Sequence, residues 1–166
     1  MRLCLVRHGL ASWPSWGGAD ADRPLNPAGV RLIQAAGPRL AALGLHPDLV
    51  LHSPYRRAQQ TAELLAEALG VLDRLQAYDG LRPGFNAKEL KKLLSAQAHL
   101  AELILVGHAP DAAEVLRSLT GGVCQFKEGA AALLKLDELD EDPTGTLLWL
   151  IPPEAWTAGQ ADSPAP

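Results

Sequence analysis

The chain has 166 residues, of which 48% are hydrophobic and 20% are charged, and its formal net charge at pH 7 is −4. This length suits one domain with a substantial core, and the negative balance excludes a general attraction to nucleic acid or to an anionic membrane. No apolar run approaches the roughly 20 residues of a membrane helix, and the apolar opening is too short for a signal peptide. The two cysteines make no disulfide framework, so we expect a protein of the reducing cytoplasm, and a monomer.

Five strand-like runs recur along the chain, and the first three are almost continuously apolar, as central strands covered on both faces are. The runs are residues 2–7, 48–52, 102–107, 130–136 and 146–151. Only turn-like residues, 140–145, separate the last two runs. This short connection predicts an antiparallel hairpin at one edge of the sheet.

Helical spacing fills the segments between the first four runs, and the predicted helices share a polar or proline start. The first runs from Asn26-Pro27 to Gly44, the second from Ser53-Pro54 to Gly70, and the fourth from Pro110-Asp111 to Gly121-Gly122. The third begins at a capping box formed by Asn86 and Glu89. The alternation predicts a three-layer α/β/α domain over residues 1–156, with a mostly parallel five-stranded sheet and the antiparallel hairpin at its edge. Residues 157–166 are small and polar and contain proline, and we expect them to form a flexible tail.

Histidines and arginines follow the ends of the first three strands. Arg7-His8 follows the first strand, Arg56-Arg57 follows the second after a Ser-Pro-Tyr turn, and His108 follows the third. Ligands bind outside the carboxyl ends of strands in open α/β sheets, so these loops bring imidazoles and guanidiniums together with no carboxylate between them. Guanidinium forks match phosphate oxygens in pairs, and helix N-termini add N–H donors. The sequence therefore predicts a pocket for an anion.

The same charges prepare a nucleophile. An imidazole among guanidiniums has its protonated form disfavoured, so its pKa should fall, and the lone pair of the neutral ring can attack phosphorus. Its other nitrogen must then carry the proton, most simply donated to a nearby backbone carbonyl. Such a site needs no metal, and the other histidines, His46, His52 and His99, have no metal-ligand spacing. Ser53 has no adjoining acid–base partner, which favours an N-cap over a nucleophile.

Taken together in this order, three motifs resemble the histidine phosphatase superfamily, also called the phosphoglycerate mutase-like fold. They are Arg7-His8-Gly9, the segment SPYRRAQQT at residues 53–61, and Gly107-His108. The segment RPLNPAG at residues 23–29 is similar to the one that opens a helix in that family. The short chain, without a large insertion, most resembles the SixA-type phosphohistidine phosphatases, and the resemblance runs from Met1 to about Ile151.

The resemblance implies a role for each strand-end residue. His8 would be the residue that is transiently phosphorylated, and Arg7, Arg57 and His108 would bind the phosphoryl oxygens and stabilise charge during transfer. In the family pattern the arginine stands immediately before Ala-x-Gln-Thr, which selects Arg57 over Arg56. No cofactor and no metal are implied.

Many members of the family place a glutamate acid between the second and third strands, and here Asp79 is the carboxylate in that region. A phosphohistidine P–N bond releases an imidazole and needs less acid assistance than a P–O bond to an alkyl alcohol. We therefore expect a phosphatase for phosphohistidine in a protein. The alternatives are a phosphatase for a small phosphate ester and a phosphate-binding module without turnover.

Overall fold

A six-stranded mixed sheet forms the middle layer of the computed structural model, which describes residues 1–139 and 142–158. The strands are β1 (Arg2–Arg7), β2 (Leu49–His52), β3 (Leu75–Ala77), β4 (Glu102–Gly107), β5 (Ala131–Glu138) and β6 (Thr144–Ile151). They lie in the order β3-β2-β4-β1-β5-β6. The helices are α1 (Pro27–Ala42), α2 (Arg56–Leu69), α3 (Ala87–Ala96), α4 (Asp111–Thr120) and α5 (Glu154–Thr157), with 3₁₀ turns at Asp20–Asp22, Leu72–Arg74 and Asp79–Leu81.

The α/β class, the parallel central strands and the antiparallel hairpin are confirmed. The expected number of strands was wrong, because the described residues form a sheet of six strands and not five. The additional strand, β3, is a three-residue edge strand that pairs with residues 50–52 of β2. Its sequence is too short for an alternating pattern to be recognised. Residues 140 and 141, in the predicted turn, lie outside the described residues.

The two faces of the sheet carry separate hydrophobic layers. In β1, Leu3 points to the layer that α3 and α4 cover, and Cys4 points to the layer that α1 and α2 cover. Successive strand residues face opposite sides of a sheet, so a strand buried on both sides is apolar throughout. Trp156 of α5 completes the second layer, and its indole Nε1 donates to Gly129 O at 2.7 Å. In β1, β2 and β4 the polar side chains are therefore left to the ends of the strands.

Polar caps start two of the helices as the sequence predicts. The Asn26 side chain accepts a backbone N–H of the first turn of α1, and Pro27 follows at the first helical position. The Asn86 side chain accepts two backbone N–H groups at the start of α3. The capping box expected there is not closed, because the Glu89 carboxylate bonds to Lys92 Nζ at 2.9 Å.

Ser53 is not the N-cap of α2, which corrects the prediction. The helix begins at Arg56, and its N-cap is Tyr55 without a side-chain bond. Ser53 N donates to Val106 O at 3.0 Å, so the extended pairing between β2 and β4 continues through Ser53. The start of the helix is thereby delayed, and the Ser53 hydroxyl is available for another contact.

The C-terminal part of the chain adds the short helix α5, which reaches Thr157, so the first residue of the predicted tail is helical. Residues 159–166 of that tail lie outside the described residues. None of the helices in the described ranges is both long and apolar enough to span a membrane.

Candidate active site

Three loops at the carboxyl edge of the parallel strands bring two histidines and an arginine together. His8 follows β1, His108 follows β4, and Arg57 lies in the first turn of α2, after β2. Because β4 lies between β2 and β1, these loops are neighbours. The ring centroids of His8 and His108 are 5.2 Å apart, and Arg57 Nε lies 3.2 Å from His8 Nε2. All three side chains are buried, and Arg7 is half-buried.

Hydrogen bonds fix which nitrogen of His8 carries the proton. Nδ1 lies 2.8 Å from Gly9 O, and because a carbonyl only accepts, Nδ1 is the protonated nitrogen. Arg57 Nε donates to Nε2, so Nε2 is unprotonated and its lone pair points to Arg57. Thr61 holds this arrangement, since its Oγ1 accepts from Gly9 N at 3.0 Å and donates to Arg57 O at 2.7 Å. The backbone carbonyl predicted to accept the proton of the second His8 ring nitrogen is that of Gly9.

Both site histidines are neutral at ordinary pH. Burial lowers the pKa of His8 to about 3; the hydrogen bond to Gly9 opposes this shift, and the electrostatic effects of His108, Arg57 and Arg7 reinforce it. Burial also lowers the pKa of His108 to about 4, with Arg57 as the next cause. The expected fall in pKa is confirmed, but burial contributes more to it than the guanidiniums do.

Ser53 contacts the second histidine, which the sequence analysis missed. Its buried Oγ lies 2.8 Å from His108 Nε2 and also accepts from Tyr55 N at 3.3 Å. One lone pair of the hydroxyl accepts from Tyr55 N, and its proton can be donated to His108 Nε2; in that arrangement His108 carries its own proton on Nδ1. The Tyr55 ring packs edge-on against His108, with 5.1 Å between the ring centroids. The Tyr55 ring centroid also lies 4.9 Å from Arg57 Cζ.

Two buried side-chain polar atoms lack a hydrogen-bond partner in the part of the chain that the structure describes, and both belong to this site. They are Arg7 Nε and His108 Nδ1. An unpaired buried donor costs roughly 1–3 kcal/mol, and the oxygens of a bound anion can satisfy both atoms when they carry protons. The Arg7 guanidinium is held by a bond from Nη1 to Phe126 O at 2.8 Å. This arrangement suits an anion, and no cluster of three or more metal-ligating side chains occurs among the described residues.

The structure does not bring Asp79 into this cluster. Its side chain is 83% exposed and its carboxylate pairs with Arg82 at 3.0 Å. No hydrogen bond or ion pair within the described ranges joins it to either histidine or to the site arginines. Arg56 also lies outside the cluster, since its side chain is 44% exposed and lies 3.9 Å from Glu63.

A different carboxylate, that of Asp20, reaches the site from the loop after β1. Arg57 Nη1 donates to Asp20 O at 2.7 Å, and Nη2 donates to Asp20 Oδ2 at 3.1 Å. The expectation of a site without a carboxylate was therefore wrong. Asp20 and Arg23 are three residues apart, a spacing that suggests an ion pair between them. Nothing in the sequence pattern predicts the contact of Asp20 with Arg57.

The sequence model of the histidine phosphatase superfamily (branch 1) matches residues 3–100, a range that contains both His8 and Arg57. The chain belongs to the histidine phosphatase superfamily. This superfamily includes phosphatases, and the resemblance seen in the strand-end motifs is confirmed.

Individual relatives support this membership across the chain. An uncharacterized protein of Picosynechococcus is 38% identical over 74% of this chain and 74% of its own length. The phosphohistidine phosphatase SixA of Escherichia coli is 24% identical over 92% of this chain and 94% of its own length. A solved structure of the protein histidine phosphatase SixA complexed with tungstate is 25% identical, has a TM-score of 0.83, and covers 93% of this chain and 99% of that one.

The low pKa of His8 predicts how stability responds to acid. The unfolded chain takes up a proton at this side chain near the ordinary value of 6.5, but the native protein does so only near 3. As the pH falls through this window, the free energy of unfolding should decrease by up to about 1.4 kcal/mol per pH unit for one such group.

His8→Asn removes the group but keeps an N–H donor near Nδ1. Urea denaturation at several pH values should give a shallower slope for this variant than for wild type. Equal slopes in the two proteins contradict a buried neutral His8.

The positions of the neighbouring arginines predict unequal effects on phosphate binding. Arg57→Lys keeps the charge but loses the fork that contacts His8 and Asp20 together, and we expect the Kd for inorganic phosphate to rise by roughly tenfold or more. Arg56→Lys, at an exposed position, should change it by less than about twofold. Isothermal titration calorimetry provides the measurement. A larger effect at Arg56 would contradict the observed register of α2.

Proposed function

We propose that this protein is a metal-independent phosphatase that forms a phosphohistidine intermediate on His8, and that its substrate is phosphohistidine in a protein. The observation that carries the proposal is the hydrogen bonding of His8. Nδ1–H is held by the Gly9 carbonyl, and the lone pair of Nε2 faces the donors of the site. A neutral, oriented imidazole among cationic donors is suited to attack phosphorus.

In the first step, His8 Nε2 gives up its hydrogen bond from Arg57 Nε, its lone pair forms a bond to phosphorus, and the bond from phosphorus to the leaving nitrogen breaks. The electron pair departs with the leaving imidazole, which takes a proton from solvent. The Gly9 carbonyl stabilises the positive charge that develops on the His8 ring through its bond to Nδ1–H. Arg7, Arg57 and His108 donate to the phosphoryl oxygens as negative charge develops there.

In the second step, water attacks the phosphorus of phospho-His8 and the P–Nε2 bond breaks. Its electron pair returns to Nε2, the proton lost by water passes to solvent or to the phosphate, and inorganic phosphate leaves. The buried unpaired donors Arg7 Nε and His108 Nδ1 are suited to both steps, because a phosphoryl group offers oxygens that accept. The enzyme returns to its starting state without oxidation or reduction.

Two observations favour phosphohistidine as the substrate class. The likeness to SixA extends over nearly all of both chains. In addition, Asp79 points to solvent and pairs with Arg82, so the acid expected from the family pattern does not contact the site histidines or arginines. A substrate whose leaving group is an imidazole depends less on such an acid than an alkyl ester does.

The proposed intermediate is tested by brief exposure to phosphoramidate in the presence of EDTA, followed by mass spectrometry of peptides. We expect one phosphoryl group on the peptide that contains His8, in a form that acid removes and alkali does not. His8→Asn should take up no label while still unfolding cooperatively. Phosphate binding without any label would indicate a phosphate-binding module, and labelling that requires added metal would contradict the proposed chemistry.

The substrate class is tested by kcat/KM across leaving groups at constant pH. A phosphohistidine protein and an aryl phosphate should exceed an alkyl phosphate by at least roughly 10²-fold, the typical contribution of one general acid. Asp79→Asn should leave the whole series unchanged, because this side chain is exposed and bonded to Arg82. A preference for a sugar phosphate would favour the small-ester alternative and contradict a phosphohistidine substrate.

A further inference from the structure

The loop after β1 places a carboxylate on the arginine that the proposed mechanism uses to bind the phosphoryl group. We propose that Asp20 competes with the phosphoryl group for Arg57, and thereby weakens phosphate binding and favours release of the product. This inference rests on the function proposed for the site. It makes Asp20 a residue that sets affinity, in contrast to a catalytic acid.

The hydrogen bonds of Arg57 show which of its nitrogens Asp20 occupies. The Arg57 side chain is only 6% exposed, and its three nitrogens all have partners. Nε donates to His8 Nε2 at 3.2 Å, Nη1 to Asp20 O at 2.7 Å and Nη2 to Asp20 Oδ2 at 3.1 Å. Phosphate binds a guanidinium best through two parallel N–H bonds, and each pair of adjacent nitrogens here includes one that already donates to Asp20. A phosphoryl group on His8 therefore meets an arginine that is partly neutralised and partly occupied.

Asp20 keeps a second partner when it gives up Arg57. Its other oxygen, Oδ1, accepts from Arg23 Nε at 3.0 Å and from Arg23 Nη2 at 2.7 Å. Arg23 is anchored separately, since its Nη1 donates to Ala11 O at 3.0 Å. The Asp20 side chain is 59% exposed, and exposed ion pairs are weak. Exchange of Asp20 for phosphate therefore leaves no buried charge unpaired.

Charge explains why the two ligands exclude one another. Burial raises the pKa of the Asp20 carboxyl, but the hydrogen bond from Arg23 and the charge and hydrogen bond of Arg57 outweigh it, and the pKa is lowered. The carboxylate is therefore ionised when phosphate arrives, and two anions on one guanidinium repel each other. When hydrolysis of phospho-His8 has produced free phosphate, return of Asp20 to Arg57 favours its departure.

The test compares the Kd for inorganic phosphate in wild type, Asp20→Asn and Asp22→Asn by calorimetry. Asparagine keeps one oxygen that can accept from Arg57, removes the charge, and replaces the oxygen that faces Arg23 by an NH2 group. We expect Asp20→Asn to bind phosphate about fivefold more tightly or better, while Asp22→Asn, which removes the same charge from an exposed position in the same turn, stays within about twofold of wild type. Unchanged or weaker binding by Asp20→Asn overturns the inference and makes Asp20 a support that orients Arg57.

A double-mutant cycle with Arg23 separates this exchange from a general effect of charge. Arg23→Gln should weaken phosphate binding, because Asp20 then depends on Arg57 for its arginine partner. In the Asp20→Asn background, Arg23→Gln should no longer weaken phosphate binding. If it still does, the Arg23 charge acts directly on phosphate, which contradicts an exchange of Asp20 for phosphate on Arg57. The proposed function is judged by a separate measurement, since its failure would appear as phosphate binding without phospho-His8, whatever the order of these binding constants.

Discussion

Burial of His8 between the Gly9 carbonyl and the Arg57 guanidinium is the constraint on which the rest of the site depends. A histidine in water is protonated part of the time near neutrality, and a protonated ring has no lone pair to offer. Desolvation removes this option, and the carbonyl decides which nitrogen keeps the proton. The remaining contacts, such as the Thr61 hydroxyl that ties Gly9 to α2, hold the ring in the one orientation that these two groups define.

The site holds buried polar groups in place before a ligand binds. Arg7 Nε and His108 Nδ1 are buried donors without partners in the described part of the chain, and such groups are tolerated where the surrounding structure holds them in place. Here that structure is the end of a sheet whose strands are apolar on both faces. The rigid edge positions donors before an anion arrives, so that little reorganisation is needed when charge develops during transfer.

The sequence predicts correctly the features that the long strands determine. His8 and His108 each follow six-residue strands of nearly continuous apolar residues, so their meeting at one edge follows from the fold class. The register of α2 was also accessible, because Arg57 precedes a recognisable family motif. The five-strand count failed because β3 is a three-residue edge strand held by backbone pairing, which leaves little pattern in the side chains.

Contacts between loops could not be predicted in the same way. Asp20 reaches Arg57 across 37 positions of the chain, and it lies in a segment with neither helical nor strand periodicity. Ser53 was assigned to a cap because serine before proline commonly starts a helix, whereas the extension of β2 pairing redirected its hydroxyl to His108. Asp79 was chosen by its position in the chain alone, and its side chain turns to solvent.

The order of the strands also has a consequence for how the protein reaches its active form. β4 is inserted between β1 and β2 although it comes later in the chain than either. Neither a hairpin nor any other local unit can therefore bring His8, Arg57 and His108 together, and the loop closure that joins the two histidines spans most of the chain. Topologies with such distant pairings form slowly and late. A chain still emerging during synthesis lacks His108 at this site until β4 enters the sheet, so the proposed phosphoryl transfer requires the completed central sheet.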